Sequence, residues 1–205
     1  SKKKLKLRRE NRARFLKDSV VQEPVYHADL ESHHFPVFAV SDLGYHFGTL
    51  KSAEERIDMV RRDWIRKHAD EITDDQLFVP ESDYIGKYYI SLKNPLEITS
   101  DFQWKDPSEW YKYTFEDQDV SDFFRNHKQW RKFIGGFDSI MPVEFYRMSE
   151  DKKNTFYDKF RQEFTAFWKD QGYDGLYYTN TYEDPGEISW MVFDEEQIAS
   201  AEAYS

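Results

Sequence analysis

The chain has 205 residues, a formal net charge of −10 and no cysteine, which excludes disulfides, thiolate metal sites and cysteine nucleophiles. Charged residues make up 33% of it and aromatic residues 18%, so a charged surface over a core of Phe, Tyr and Trp is expected, in one domain with an appendage. No apolar run approaches the ~18 residues of a membrane helix, and the charged first residues have no apolar segment behind them, so neither membrane contact nor a secretory signal is expected.

In chain order, residues 1–17 carry nine Lys and Arg against the single acid Glu10, a net of +8, which leaves −18 on the remainder. Residues 1–20 read as a basic N-terminal arm on a domain spanning 21–205. Such an arm touches nucleic acid or an acidic partner protein, docks on its own body, or is solvated. The acidic body itself repels phosphates. Val25 to Ala28 reads as a strand, followed by a loop with His33, His34 and Pro36, and Tyr45 to Gly48 as a second short strand. Ser52-Ala53-Glu54-Glu55 has the form of a capping box. It opens a helix with Ala53, Ile57, Val60 and Trp64 on one face and Arg61, Arg62, Arg66 and Lys67 toward its end.

Tyr84 to Leu92 reads as a strand closed by Asn94-Pro95, with Leu96 to Ile98 extending the sheet. Residues 99–120 carry many aromatics and acids and read as irregular. Ser121 to Phe133 reads as a helix stopped by Gly135-Gly136, while residues 142–148 show no decisive pattern. Asn154 to Gln171 forms a helix whose stripe is Phe156, Phe160, Phe164, Phe167 and Trp168, with Gly172 suited to the position just past its end. Gly175 to Asn180 and Ile188 to Phe193 form a β pair across a polar loop. Strands and helices do not alternate regularly, so the expected class is α+β rather than doubly wound.

Three segments carry chemistry. His27 follows an apolar strand start; alone, such a histidine is ordinarily satisfied by backbone. Alternation along Tyr45-His46-Phe47 sends His46 to one face and its aromatic neighbours to the other. Those neighbours suit either ring stacking against a ligand or plain core packing. Glu183 and Asp184 lie in a turn closed by Pro185-Gly186, and Glu187, Ser189 and Met191 share a strand face. Carboxylates there can steady an oxocarbenium-like sugar, although acidic turns are ordinarily just solvated. His27, Asp29, Glu31, His33 and His34 form a cluster of hard ligands, but their spacing fits no usual zinc or iron signature, and no metal is expected.

The order of these segments resembles the ADP-ribosyltransferase superfamily, particularly its divergent bacteriophage members of virion and polyvalent-protein type. Val25-Tyr26-His27-Ala28-Asp29 resembles the opening strand. Gly44-Tyr45-His46-Phe47-Gly48-Thr49, with Ala53 and Arg56, resembles the second motif. Gly172-Tyr173-Asp174-Gly175-Leu176-Tyr177-Tyr178 through Asn180, Glu183, Gly186 and Ser189 to Phe193-Asp194 and Gln197-Ile198 resembles the closing region. Residues 88–101 are similar more loosely. The resemblance implies a split β-sandwich with flanking helices and NAD, as substrate, in the cleft between the sheets.

It implies that His27 bonds a ribose hydroxyl, that the Ala28 backbone fixes the nicotinamide carboxamide, and that His46 stands in the ring-stacking place with Tyr45 and Phe47 in support. The family's catalytic glutamate falls at Ser189, so Glu187 and Glu183 are the candidate acids. Ala28-Asp29 replaces the family's Gly-Ser/Thr, and a second stacking Tyr gives way to Glu55 or Arg56. The implied activity is mono-ADP-ribosyl transfer from NAD to a host protein, in the host cytoplasm or from a virion. Its alternatives are NAD hydrolysis, removal of an RNA 2′-phosphate as in two-histidine relatives, and a virion or assembly protein that keeps the fold without the activity.

Overall fold

The computed structural model describes residues 1–28, 43–70, 85–98, 107–116, 122–138 and 144–204, apart from the side chains of Trp64, Asp138 and Glu144. Asp29, Glu31, His33 and His34, and with them most of the hard-ligand cluster, lie outside the described residues, as does Tyr84. The architecture is mixed α+β with two sheets. In the first, β1 (Val25–Ala28), β3 (Ile85–Ile90) and β7 (Ile198–Ser200) run antiparallel in the order β1-β3-β7. In the second, β2 (Tyr45–Phe47), β6 (Ile188–Val192), β5 (Gly175–Thr179) and β4 (Pro95–Glu97) follow the order β2-β6-β5-β4, with only β4 and β5 parallel.

The alternation of side chains sorts the second sheet into two buried faces. Tyr45, Phe47 and Val192 point toward the first sheet and pack with Val25, Tyr88, Ile90 and Leu92. Leu96, Leu176, Tyr178 and Met191 point the other way, into a helical layer. That layer comprises α3 (Pro107–Phe115), α4 (Asp122–Asn126), α5 (Lys128–Asp138), α6 (Glu144–Arg147) and α7 (Glu150–Asp170). Its centre is an aromatic mesh of fully buried Trp110, Trp130, Trp168, Phe124, Phe160 and Phe164. The Trp130 indole N–H donates to Thr114 Oγ1 at 2.8 Å, which meets the need of a buried tryptophan for a partner.

Helix α7 ends as its sequence requires. Gly172 takes φ +92°, the Gly172 N–H bonds the Lys169 carbonyl and the Tyr173 N–H bonds that of Trp168, the paired closure of a Schellman motif. Two expectations fail nearby. Residues 107–115 are helical, not irregular: Pro107 suits a first helical position, and Trp110, Tyr113 and Thr114 bury one face. Helix α5 runs through Gly135-Gly136 to Asp138, because burial of Trp130, Ile134 and Phe137, at roughly 1.5–3 kcal/mol each, outweighs about 1 kcal/mol lost per glycine.

The basic arm is also helical, as α1 (Lys2–Phe15). Leu16, Ser19 and Val21 behind it are buried, and Ser19 Oγ donates to the Ile90 carbonyl at 3.0 Å while accepting from Leu92 N at 3.0 Å. The body's packing therefore reaches back to residue 16, with α8 (Ala201–Tyr204) against the arm through a Phe15–Tyr204 ring contact at 5.8 Å.

Candidate functional site

The two sheets touch where β1 passes β2. A single rung joins them: the Tyr26 and Gly48 backbones exchange N–H···O bonds of 2.8 and 2.9 Å. In an antiparallel ladder the next rung pairs residues two further along one strand and two back along the other, here Ala28 with His46. That rung is replaced. His27 Nδ1 lies 2.7 Å from the His46 carbonyl, and since a carbonyl only accepts, Nδ1 carries the proton and donates. The side chain of His27 thus does what the Ala28 amide does in a continuous sheet. Strand alternation puts the Ala28 N–H and C=O on the edge of β1 that faces away from β3.

Beside this bond, the His27 ring lies 5.7 Å from that of Phe47, and Phe47 meets Tyr88 edge-on at 5.5 Å. Gly86 stands opposite His27 in the register, and a Cβ there would run into the Tyr88 ring, so a glycine lets the phenol fold over β3. Sequence reasoning missed both Gly86 and Tyr88. Tyr45 and Phe47 are 7% and 2% exposed and belong to the core between the sheets, so they pack rather than line an open wall. Burial, reinforced by a 3.1 Å hydrogen bond to Glu195, pushes the Tyr45 phenol up to about 12.

His46 points to the other face of β2, opposite Met191. Ser189 is the diagonal neighbour on that face and is buried, its Oγ donating to Asn180 Oδ1 at 2.6 Å. Gly48 lies against Ser189 and Ser52, both of whose hydroxyls a Cβ would crowd. Glu187, two residues before Ser189, is exposed. The structure therefore puts His46 and Ser189 on one face of the second sheet, while Glu187, expected to share it, lies in the turn just before β6. It joins His27 to that strand through the His46 backbone, with the His27 ring on the Phe47 side.

Glu183 and Asp184 belong to the loop joining β5 and β6, and this loop is fastened to α2 (Leu50–Lys67). Asp184 adopts a left-handed φ of 46°. Its carboxylate accepts from Thr49 Oγ1 at 2.6 Å and lies 3.4 Å from Lys51 Nζ, while its N–H donates to Glu55 Oε2 at 2.6 Å. The helix accordingly starts before the expected capping box. Thr49 Oγ1 accepts from Ser52 N at 3.0 Å, Ser52 Oγ donates to the Thr49 carbonyl, and Glu55 holds the distant loop rather than its own helix start. Glu183 pairs with Arg56 at 3.7 Å.

The closing segment is dense with structural bonds. The Asp174 carboxylate accepts the Lys93 and Asn94 amides at 2.8 Å each. Gln197 accepts from Phe193 and Asp194 and donates to the Ser91 and Asp174 carbonyls. Gly175 sits so close to the Met191 carbonyl that no Cβ fits. Among the described residues no group of three or more His, Asp or Glu side chains could hold a metal ion, and no helix is long and apolar enough to cross a membrane. No family model, curated protein or solved structure matches the chain.

Proposed function

We propose that this chain is a mono-ADP-ribosyltransferase with the split β-sandwich of that superfamily, using NAD to modify a host protein. The observation that carries the reading is the seam: His27 bonds across to the His46 carbonyl in place of the Ala28 backbone, which leaves the Ala28 amide and carbonyl on the edge of β1 that faces away from β3. Such a pair of groups is complementary to a carboxamide, which needs one donor and one acceptor.

In this reaction the bond between nicotinamide N1 and ribose C1′ breaks, and its electron pair leaves with nicotinamide. Positive charge develops on C1′ and the ring oxygen. The acceptor side chain then supplies the electron pair for a new bond to C1′ and releases its proton. The chain contributes orientation at Ala28, the His27 seam, and a carboxylate that steadies the developing charge and holds the 2′-hydroxyl. Glu187 is the better candidate for that carboxylate, because it is exposed just before the strand that carries Ser189, whereas Glu183 pairs with Arg56 at 3.7 Å.

Incubation with NAD labelled on the adenylate phosphate and a host lysate tests this. Label should move to protein, and Glu187→Gln should cost on the order of a hundredfold or more while Glu183→Gln keeps most of the rate. Nicotinamide release without transfer would reassign the chain to NAD hydrolysis, and phosphate release from a 2′-phosphorylated RNA to the two-histidine alternative. Loss of all three, together with no NAD-dependent rise in melting temperature, would sink the enzymatic reading. One observation favours that last outcome: Ser189, in the place of the family's glutamate, is buried and committed to Asn180, as suits a virion or assembly protein that keeps only the fold.

A further inference from the structure

Helix α1 buries none of its residues, and its cations lie on every side of it. Lys2, Lys3, Lys4, Lys6 and Arg9 are exposed, and Leu5 and Leu7, 47% and 55% exposed, stand roughly 200° apart around the axis and so form no apolar stripe. At its other end the helix is fixed to the body. Arg12 donates to the Tyr89 hydroxyl at 3.3 Å and lies over that ring at 5.7 Å, Phe15 meets Tyr204, and Leu16 is buried. Like charges at i,i+3 and i,i+4, such as Lys2 with Lys6 and Lys6 with Arg9, oppose the helix. The exposed Lys6–Glu10 contact at 3.9 Å does little to offset them.

We infer that α1 is a duplex-DNA-binding element that lies in the major groove and contacts phosphates on both walls, independently of the NAD reading above. The shape of the charge distribution selects the occupant. A flat acidic protein surface meets one side of a helix and leaves the other cations unused. An anionic bilayer takes up a helix through an apolar stripe, which α1 lacks. A groove about 12 Å wide admits an α-helix and surrounds it with phosphates, whereas the major groove of duplex RNA is too narrow. The 14-residue helix is about 21 Å long, enough to pass several phosphates on each strand. Residues 18–205 carry −18 and are held off the polyanion, so binding is confined to this helix and reads backbone rather than sequence.

The test is fluorescence anisotropy of the full chain with a labelled duplex of about two helical turns across a salt series. With about five phosphate contacts the logarithmic salt slope should be near −4.5, about a 500-fold loss in affinity from 50 to 200 mM. The triple variant Lys2→Ala, Lys3→Ala, Arg9→Ala should flatten the slope by about 2.7. Replacing the exposed Lys112, Lys152 and Lys159 by Ala should leave it unchanged. All the altered side chains are on the surface, and matching melting temperatures confirm that the variants fold. Absence of binding, a slope insensitive to the arm variant, or equal binding to polyglutamate, duplex RNA or phosphatidylserine vesicles would overturn the inference.

Discussion

Asp184 is where the hairpin carrying the candidate acids is fastened, and its removal has a calculable cost. Asp184→Ala deletes an ionised acceptor of the 2.6 Å Thr49 hydroxyl bond, and hydrogen bonds to charged groups contribute about 1.5–3 kcal/mol. It also removes an anion from the first turn of α2, where such a charge is worth about 0.3–1 kcal/mol. The pairing with the half-exposed Lys51 at 3.4 Å adds little because solvent screens it. The expected loss is therefore roughly 2–4 kcal/mol, which for a chain of this size lowers the melting temperature by about 5–15 °C. Asp184→Gly is the informative companion. It loses the same carboxylate but relieves the left-handed φ of 46°, so it should recover about 1 kcal/mol relative to the alanine variant. Urea unfolding of the three proteins measures both differences. If Asp184→Ala unfolds within about 0.5 kcal/mol of the parent, the typical scatter of surface substitutions, the loop is not held by this carboxylate and the anchoring argument is wrong.

Two further outcomes follow from the core. Thr114→Val keeps the shape but removes the acceptor of the buried Trp130 indole, so chemical denaturation should show a loss of about 1–3 kcal/mol; a neutral result would mean that the indole N–H finds another partner. Tyr45 ties stability to alkaline pH. Its phenol ionises near 10.0 when unfolded and is pushed up to about 12 in the folded chain, so between those values the unfolded state holds fewer protons and stability falls as pH rises. The contribution is intact below pH 10 and amounts to roughly 2–3 kcal/mol across the window. Tyr45→Phe should remove that segment of the stability–pH curve, and parallel curves for the two proteins would contradict it.

The local code was readable where one face of an element settles its fate. The stripe on α7 and Gly172 behind it specify both the helix and its end. The alternation of Tyr45-His46-Phe47 divides the faces of β2 correctly, and the plain core reading of its two aromatics is the one the structure takes. The same logic misleads at Gly135-Gly136, where a propensity of about 1 kcal/mol per residue is overridden by partners that lie far away in sequence. It was also insufficient at Ser52: the sequence contains a capping-box pattern, yet Thr49 caps the helix because Asp184, 135 residues along the chain, bonds its hydroxyl. The His27 bond to the His46 carbonyl and the folding of Tyr88 over Gly86 depend on which strands become neighbours, and no periodicity within one segment encodes that.

This division of labour bears on what the family resemblance can mean. Its longest stretch is the closing region, and the structure gives many of those residues building roles: Gly172 ends α7, Asp174 ties down the β3–β4 turn, Gly175 admits the Met191 carbonyl, and Gln197 stitches β7 to that turn. A chain that keeps these residues keeps the support for the seam whether or not it turns over NAD. The proposed activity draws instead on a smaller set at the seam and hairpin, namely the Ala28 backbone, His27, His46 and Glu187. Of these, His27 also has a building role, since its side chain satisfies the carbonyl that an unbroken ladder would have claimed. That bond therefore stabilises the fold. Loss of activity on replacing His27 would not by itself identify a catalytic role, whereas Glu187, exposed and outside this network, offers a cleaner separation of chemistry from folding.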